Sequence, residues 1–184
     1  MSSRIRHRRL ALPAAALLAA AALSACQEGK PRHTPPDPMA GASPPVEDTP
    51  PPKALSEGLP KRAGTPIFTL DHVGAAFDPL GKPPAVTPRD RPVVFDGFGL
   101  DDLAKAPGRG VDVTVDGKVY GTAYGATRRD VAVHFKDQNL APVGFRMVLP
   151  SGSLAVGPHS ATVRVIAADG RSYEESPTIR FSVK

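Results

Sequence analysis

The side chains able to do acid–base or nucleophilic work in this 184-residue chain are few, and most lie beyond residue 70. Ser151 and Ser153, with His159 downstream, supply the nucleophile and base of a hydrolase if a distant aspartate orients the imidazole. Ser151-Gly152-Ser153 follows Pro150 without a Gly-x-Ser-x-Gly elbow, however, and reads as loop chemistry. His72, His134 and His159 offer imidazoles, yet no pair has metal-ligand spacing beside a carboxylate. Asp71, Asp78, Asp101 and Asp102 carry the hard oxygens calcium prefers, without an Asp-x-Asp-x-Asp-Gly loop. The neighbours Glu174 and Glu175 point to opposite faces if they lie on a strand, so they form no glycosidase dyad. We expect no catalytic set, no metal and no cofactor.

The densest polar cluster is Tyr120, Tyr124, Arg128, Arg129 and Asp130. Tyrosine gives a flat amphipathic face to a sugar or peptide, and arginine gives paired donors to a carboxylate or phosphate. Tyr120, Tyr124, Arg128 and Arg129 are therefore the candidate contacts. Asp130 is expected to be structural, accepting loop amides and holding an arginine.

The elements that must position these residues are strands. Val111, Val113 and Val115 alternate with polar residues, as do Val131, Val133 and Phe135; Ala161, Val163 and Val165; and Ile179, Phe181 and Val183. Period two with one polar side predicts strands that bury one face and wet the other. Asp116-Gly117 and Asp169-Gly170 suit type I′ hairpins. Adding Ile67–Asp71, Pro92–Phe98, Lys118–Tyr124 and Phe145–Leu149 gives an all-β, antiparallel β-sandwich of about 7–8 strands over 64–184, with no helix beyond a turn near Asp101–Lys105.

The first 63 residues differ in kind. Arg4, Arg6, Arg8 and Arg9 precede an apolar run from Leu10 to Ala25, the layout of an export signal over 1–25. At about sixteen residues the run is short of the roughly 20 that span a bilayer. Leu23-Ser24-Ala25-Cys26 closes it with the one cysteine of the chain, and this ending resembles the lipobox of bacterial lipoproteins. The resemblance implies cleavage before Cys26, lipid on its thiol and anchorage to a membrane. Gln27 is not the aspartate that holds such proteins at an inner membrane, so an outer-membrane address is expected in a cell that has one. Residues 26–63 follow as a tether: Gln27–Ala63 holds 10 of the 22 prolines and little apolar bulk, which predicts disorder biased to polyproline II. At about 3.1 Å per residue it reaches up to roughly 100 Å.

Charge argues the same way. Of 23 basic residues against 18 acidic, four arginines are in the signal, leaving 19 against 18 and no electrostatic case for nucleic acid. Within the domain, Gly97-Phe98-Gly99-Leu100-Asp101, Val115-Asp116-Gly117, Tyr124-Gly125, Gly144-Phe145 and Asp169-Gly170 occur in an order that resembles Ig-like β-sandwich modules of bacterial envelope and secreted proteins. Similar modules often carry tryptophan where Phe98 stands. The resemblance implies an Ig-like fold and a non-enzymatic protein of the cell envelope that binds an envelope protein or glycan or serves as structural material. The alternative is a glycan-binding module or a non-catalytic accessory subunit of an envelope enzyme.

Overall fold

The computed structural model describes residues 50–80 and 84–184. The export signal, Cys26 and the tether as far as residue 49 lie outside the described residues.

The strands are β1 (Ile67–Val73), β2 (Ala76–Phe77), β3 (Ala85–Thr87), β4 (Val93–Asp101), β5 (Ala106–Pro107), β6 (Gly110–Val115), β7 (Lys118–Gly121), β8 (Ala123–Thr127), β9 (Pro142–Leu149), β10 (Gly157–Ile166), β11 (Tyr173–Glu175) and β12 (Ile179–Val183); one helix, α1, spans Arg129–Phe135. They form two sheets. The first runs β2-β1-β4-β9-β8 with β5 on β4, and the second runs β3-β12-β10-β6-β7 with β11 on β10. Pairing is antiparallel except that β3 lies parallel to β12. Thr122 alone separates β7 from β8 and hands the chain from one sheet to the other.

The main core fills the space between the sheets. Leu70, Phe95, Phe145 and Met147 from the first sheet meet Val111, Val113, Val163 and Phe181 from the second. Phe95 and Phe181 touch edge to face with centroids 5.6 Å apart, a preferred aromatic geometry. The sheets approach closely at Gly99, where a Cβ would stand 2.8 Å from a methyl of Val165 and 2.9 Å from one of Val111.

Three expectations need correction. The Val131–Phe135 alternation is helix α1: Val131 and Ala132 are buried, while Val133 is 70% exposed. Seven residues are too few for period two to be distinguished from a buried pair on one helical face. Lys136, at φ 56°, ends the helix in the left-handed conformation. A second, smaller core of Leu100, Val131, Leu140 and Val143 lies under this helix and the 3-10 turn Gln138–Leu140. Asp116-Gly117 has positive φ at both residues, as a type I′ turn requires, but at Asp169-Gly170 only the glycine does. There the Gly170 amide bonds the Ala167 carbonyl at 2.8 Å and closes the turn. Finally, β6 buries both faces, Asp112 and Thr114 as well as its valines.

The cover on that outer face is residues 52–62, which the proline count assigns to the tether. The amides of Leu55 and Ser56 donate to Asp112 Oδ2 at 2.8 and 2.6 Å. Lys61 pairs parallel with Tyr173, and the Arg62 amide donates to the Tyr173 carbonyl at 2.9 Å. The Arg62 guanidinium bonds Asp101 and lies 3.2 Å from Glu174, both nearly fully buried. Order thus begins ahead of Gly64. Every partner is more than 35 residues away in sequence, beyond the reach of a local composition argument.

Candidate binding surface

Arg128 is the centre of the outer face of the first sheet. It stands just ahead of α1, where its amide donates to the Ala141 carbonyl at 2.7 Å and its carbonyl accepts from Ala132 at 3.2 Å. Gly144 on β9 leaves room for the arginine stem, since a Cβ there would lie 3.2 Å from Arg128 Cγ. The guanidinium then reaches Asp71 Oδ2 at 2.6 Å, Asp130 Oδ1 at 2.9 Å and Oδ2 at 2.7 Å. Its carbon lies 5.3 Å from the centroid of Phe98. Asp71 is fixed from below by the Thr69 hydroxyl at 2.9 Å. Asp130 is 64% exposed, and the Arg128 fork holds its carboxyl down at about 2. Amides at the helix start, those of Val131 and of Asp130 itself, add smaller contributions in the same direction. Its structural work is an exposed bidentate pair in the first turn of a short helix.

Around this clamp, Thr69, Phe98, Val131, His134 and Phe135 complete a cleft of about 390 Å³. An apolar floor with a polar rim is the usual composition of a small binding site. Beside it, His72 Nδ1 lies 2.7 Å from Asp96 and Arg146 lies 3.9 Å from the same carboxylate. The signal for that second cluster is the β1–β4 register, which sets His72 opposite Asp96. It becomes visible only after pairing is known.

The other candidates are scattered. Tyr124 is half-buried between the two cores; its hydroxyl donates to the Gly99 carbonyl at 2.9 Å and accepts the Gly108 amide at 3.2 Å. Burial pushes its phenol up to about 12. Tyr120 belongs to the second sheet, partly buried against the main core with Lys118 Nζ 4.9 Å above its ring. Arg129 is exposed at the first position of α1.

The hydrolase arrangement does not assemble. Ser151 and Ser153 are exposed in the turn after β9, whereas His159 bonds Asp116 Oδ2 through Nδ1 at 2.6 Å and the Ala155 carbonyl through Nε2 at 2.7 Å. Both partners are acceptors, so both ring nitrogens donate and the imidazole carries a positive charge. Burial alone would lower its pKa, but the Asp116 and Ala155 bonds outweigh that and raise it. No lone pair is left to take a proton from a serine. Asp101 is taken up by Arg62 and by the amides of Leu103, Ala104 and Ala168, and Asp102 by Lys105 at 2.5 Å. Among the described residues no three of histidine, cysteine, aspartate and glutamate converge to hold a metal.

No family model and no curated protein matches the chain. Among solved structures it is similar to an endo-β-1,4-mannanase from Thermotoga petrophila, at 14% identity and a TM-score of 0.39, over 67% of this chain and 20% of that one. The chain spans about one fifth of that enzyme's length, and a likeness this distant bears on neither activity nor substrate.

Proposed function

We propose that the chain is a lipid-anchored protein of the cell envelope, at the outer membrane where there is one, and that it presents an Ig-like β-sandwich for binding or structural interaction without catalysis. The observation that carries this reading is the succession of four arginines, an apolar run of about sixteen residues and Leu23-Ser24-Ala25-Cys26. Lipid on Cys26 is the membrane link, and two acyl chains hold stably where one holds marginally. The cleft under α1 supports the binding half of the reading. Its Phe98 floor and its Asp71 and Asp130 rim suit a glycan or a protein side chain.

Replacing Cys26 by serine tests the anchor. The variant should lose incorporation of labelled fatty acid, accumulate as precursor and leave the membrane fraction. Unchanged mass together with unchanged membrane retention would refute the reading. The purified domain on a glycan array, with Phe98→Ala as control, tests the cleft.

A further inference from the structure

Residues 52–62 cover the outer face of the second sheet, and the way they are held is unusual for a packed segment. None of them belongs to either apolar core. Apart from the Leu55 side chain, the contacts at the start of the segment address the main chain. A Cβ at Gly121 would stand 2.5 Å from the carbonyl oxygens of Pro52 and Lys53, and one at Gly110 would stand 2.5 Å from Leu55 Cδ1. Two missing side chains therefore make the trough. Asp112, fully buried, accepts two successive amides, those of Leu55 and Ser56. The edge of β11 supplies a carbonyl to the Arg62 amide and takes the Pro60 carbonyl for the Tyr173 amide at 3.2 Å. Only then do charged side chains of the segment enter: Lys61 on Glu175 at 2.8 Å, and Arg62 on Asp101 and Glu174.

We infer that this face is a backbone-reading groove and that its resident segment, residues 52–62, exchanges with the same segment of a second copy of this chain. Because the core contains none of the segment, it can lift without opening the sandwich. Residues 63–66 join it to β1, and Gly64, at φ 120°, is a position where the chain turns with little strain. An empty groove would leave Asp112 without its amides and Asp101 and Glu174 without their guanidinium, and buried carboxylates tolerate that poorly. Refilling requires two adjacent free amides, the turn that the Leu59 amide closes on the Ser56 carbonyl at 3.1 Å with Gly58 at φ 79°, and a Lys-Arg pair six positions on. Residues 52–62 of another copy meet that demand by construction, and exchange of an identical element is a low-cost route to a dimer.

The test uses the full chain and a fluorescent synthetic peptide of residues 50–62. Ser56→Pro removes one of the two amides that hold the resident segment, so the variant should take up the peptide about tenfold more tightly than wild type, the resident being a competitor. Gly121→Val fills the trough, and that variant should take up none. Sedimentation of the wild type should show a dimer fraction that rises with concentration, and Gly121→Val should abolish it. Hydrogen exchange on the wild type asks the same question without substitution: the amides of Leu55, Ser56 and Arg62 should open ahead of those of β6 and β10. A folded Ser56→Pro chain that ignores millimolar peptide, a wild type that stays monomeric at millimolar concentration, or strap amides that open only with the core would each overturn the proposal.

Discussion

Replacing Arg62 by alanine removes the guanidinium shared by Asp101 and Glu174, whose side chains are 3% and 4% exposed. Breaking a buried ion pair from one side costs about 3–5 kcal/mol, because the remaining charge is uncompensated. The amides of Leu103, Ala104 and Ala168 still serve Asp101, which places the expected loss at the low end for that residue and leaves Glu174 the more exposed to the change. For a domain of about 130 residues such a loss lowers Tm by roughly 10–18 °C. The effect has a definite pH dependence. Burial alone would raise the Asp101 carboxyl, but the Ala168 and Ala104 amides and Arg62 together hold it below the usual range. A depressed carboxyl stabilises the fold above its unfolded value, near 3.8, and that stability goes as pH falls through the folded value. Without Arg62 the folded Asp101 carboxyl binds protons more readily, so wild type and variant should differ most near neutrality and begin to converge below about pH 4. Differential scanning calorimetry from pH 3 to 8 measures both. A variant that melts within about 2 °C of wild type at pH 7, or a difference that does not shrink with acid, would refute the buried-charge argument.

The His159–Asp116 pair has its own window: His159 is raised and Asp116 lowered, so its contribution is complete between about pH 4 and 6.5 and fades as pH rises through the folded His159 value. Melting curves of His159→Gln should therefore approach those of wild type in alkali, and a constant gap would count against the charged imidazole. Asp130→Ala should cost only about 0.5–1 kcal/mol, as exposed pairs do, whereas Arg128→Ala, which also loses Asp71 and Phe98, should cost about 2 kcal/mol in urea titrations. The reverse order would break the clamp description. Tyr124→Phe should cost about 1–2 kcal/mol for two lost hydrogen bonds, and in a spectrophotometric titration one of the three tyrosines should ionise near pH 12. If no tyrosine ionises that high, Tyr124 is not held as described.

Much of the sandwich is written in local pattern. The valines of β6 and β10 alternate because one side of each meets the opposite sheet, and Asp116-Gly117 turns where two positive φ angles are required. What escaped was set by distant partners. Nothing near Lys61 and Arg62 tells that Glu175 and Asp101 wait for them, and Asp112 looks like an outward strand residue until residues 55 and 56 are laid over it. That Asp130 holds an arginine was legible, but which of Arg128 and Arg129 was not, and Asp71, the third member of the clamp, is 57 residues from Arg128. Helix α1 was hidden because Val131 and Phe135 satisfy both periods at once.

The position of β12 bears on the order in which the molecule can be made. Ile179–Val183 is made after the other eleven described strands, yet it lies inside its sheet, between β3 and β10. Its parallel partner pairs Ala85 with Phe181, 96 residues apart. Until that strand arrives, β3 has no neighbour in its sheet and Phe95 lacks the ring of Phe181 against it. The sandwich therefore cannot assemble progressively from its beginning. Such non-local pairing belongs to domains that fold in milliseconds to seconds, and for that interval the chain exposes apolar strands with open edges, which a chaperone or rapid release must protect.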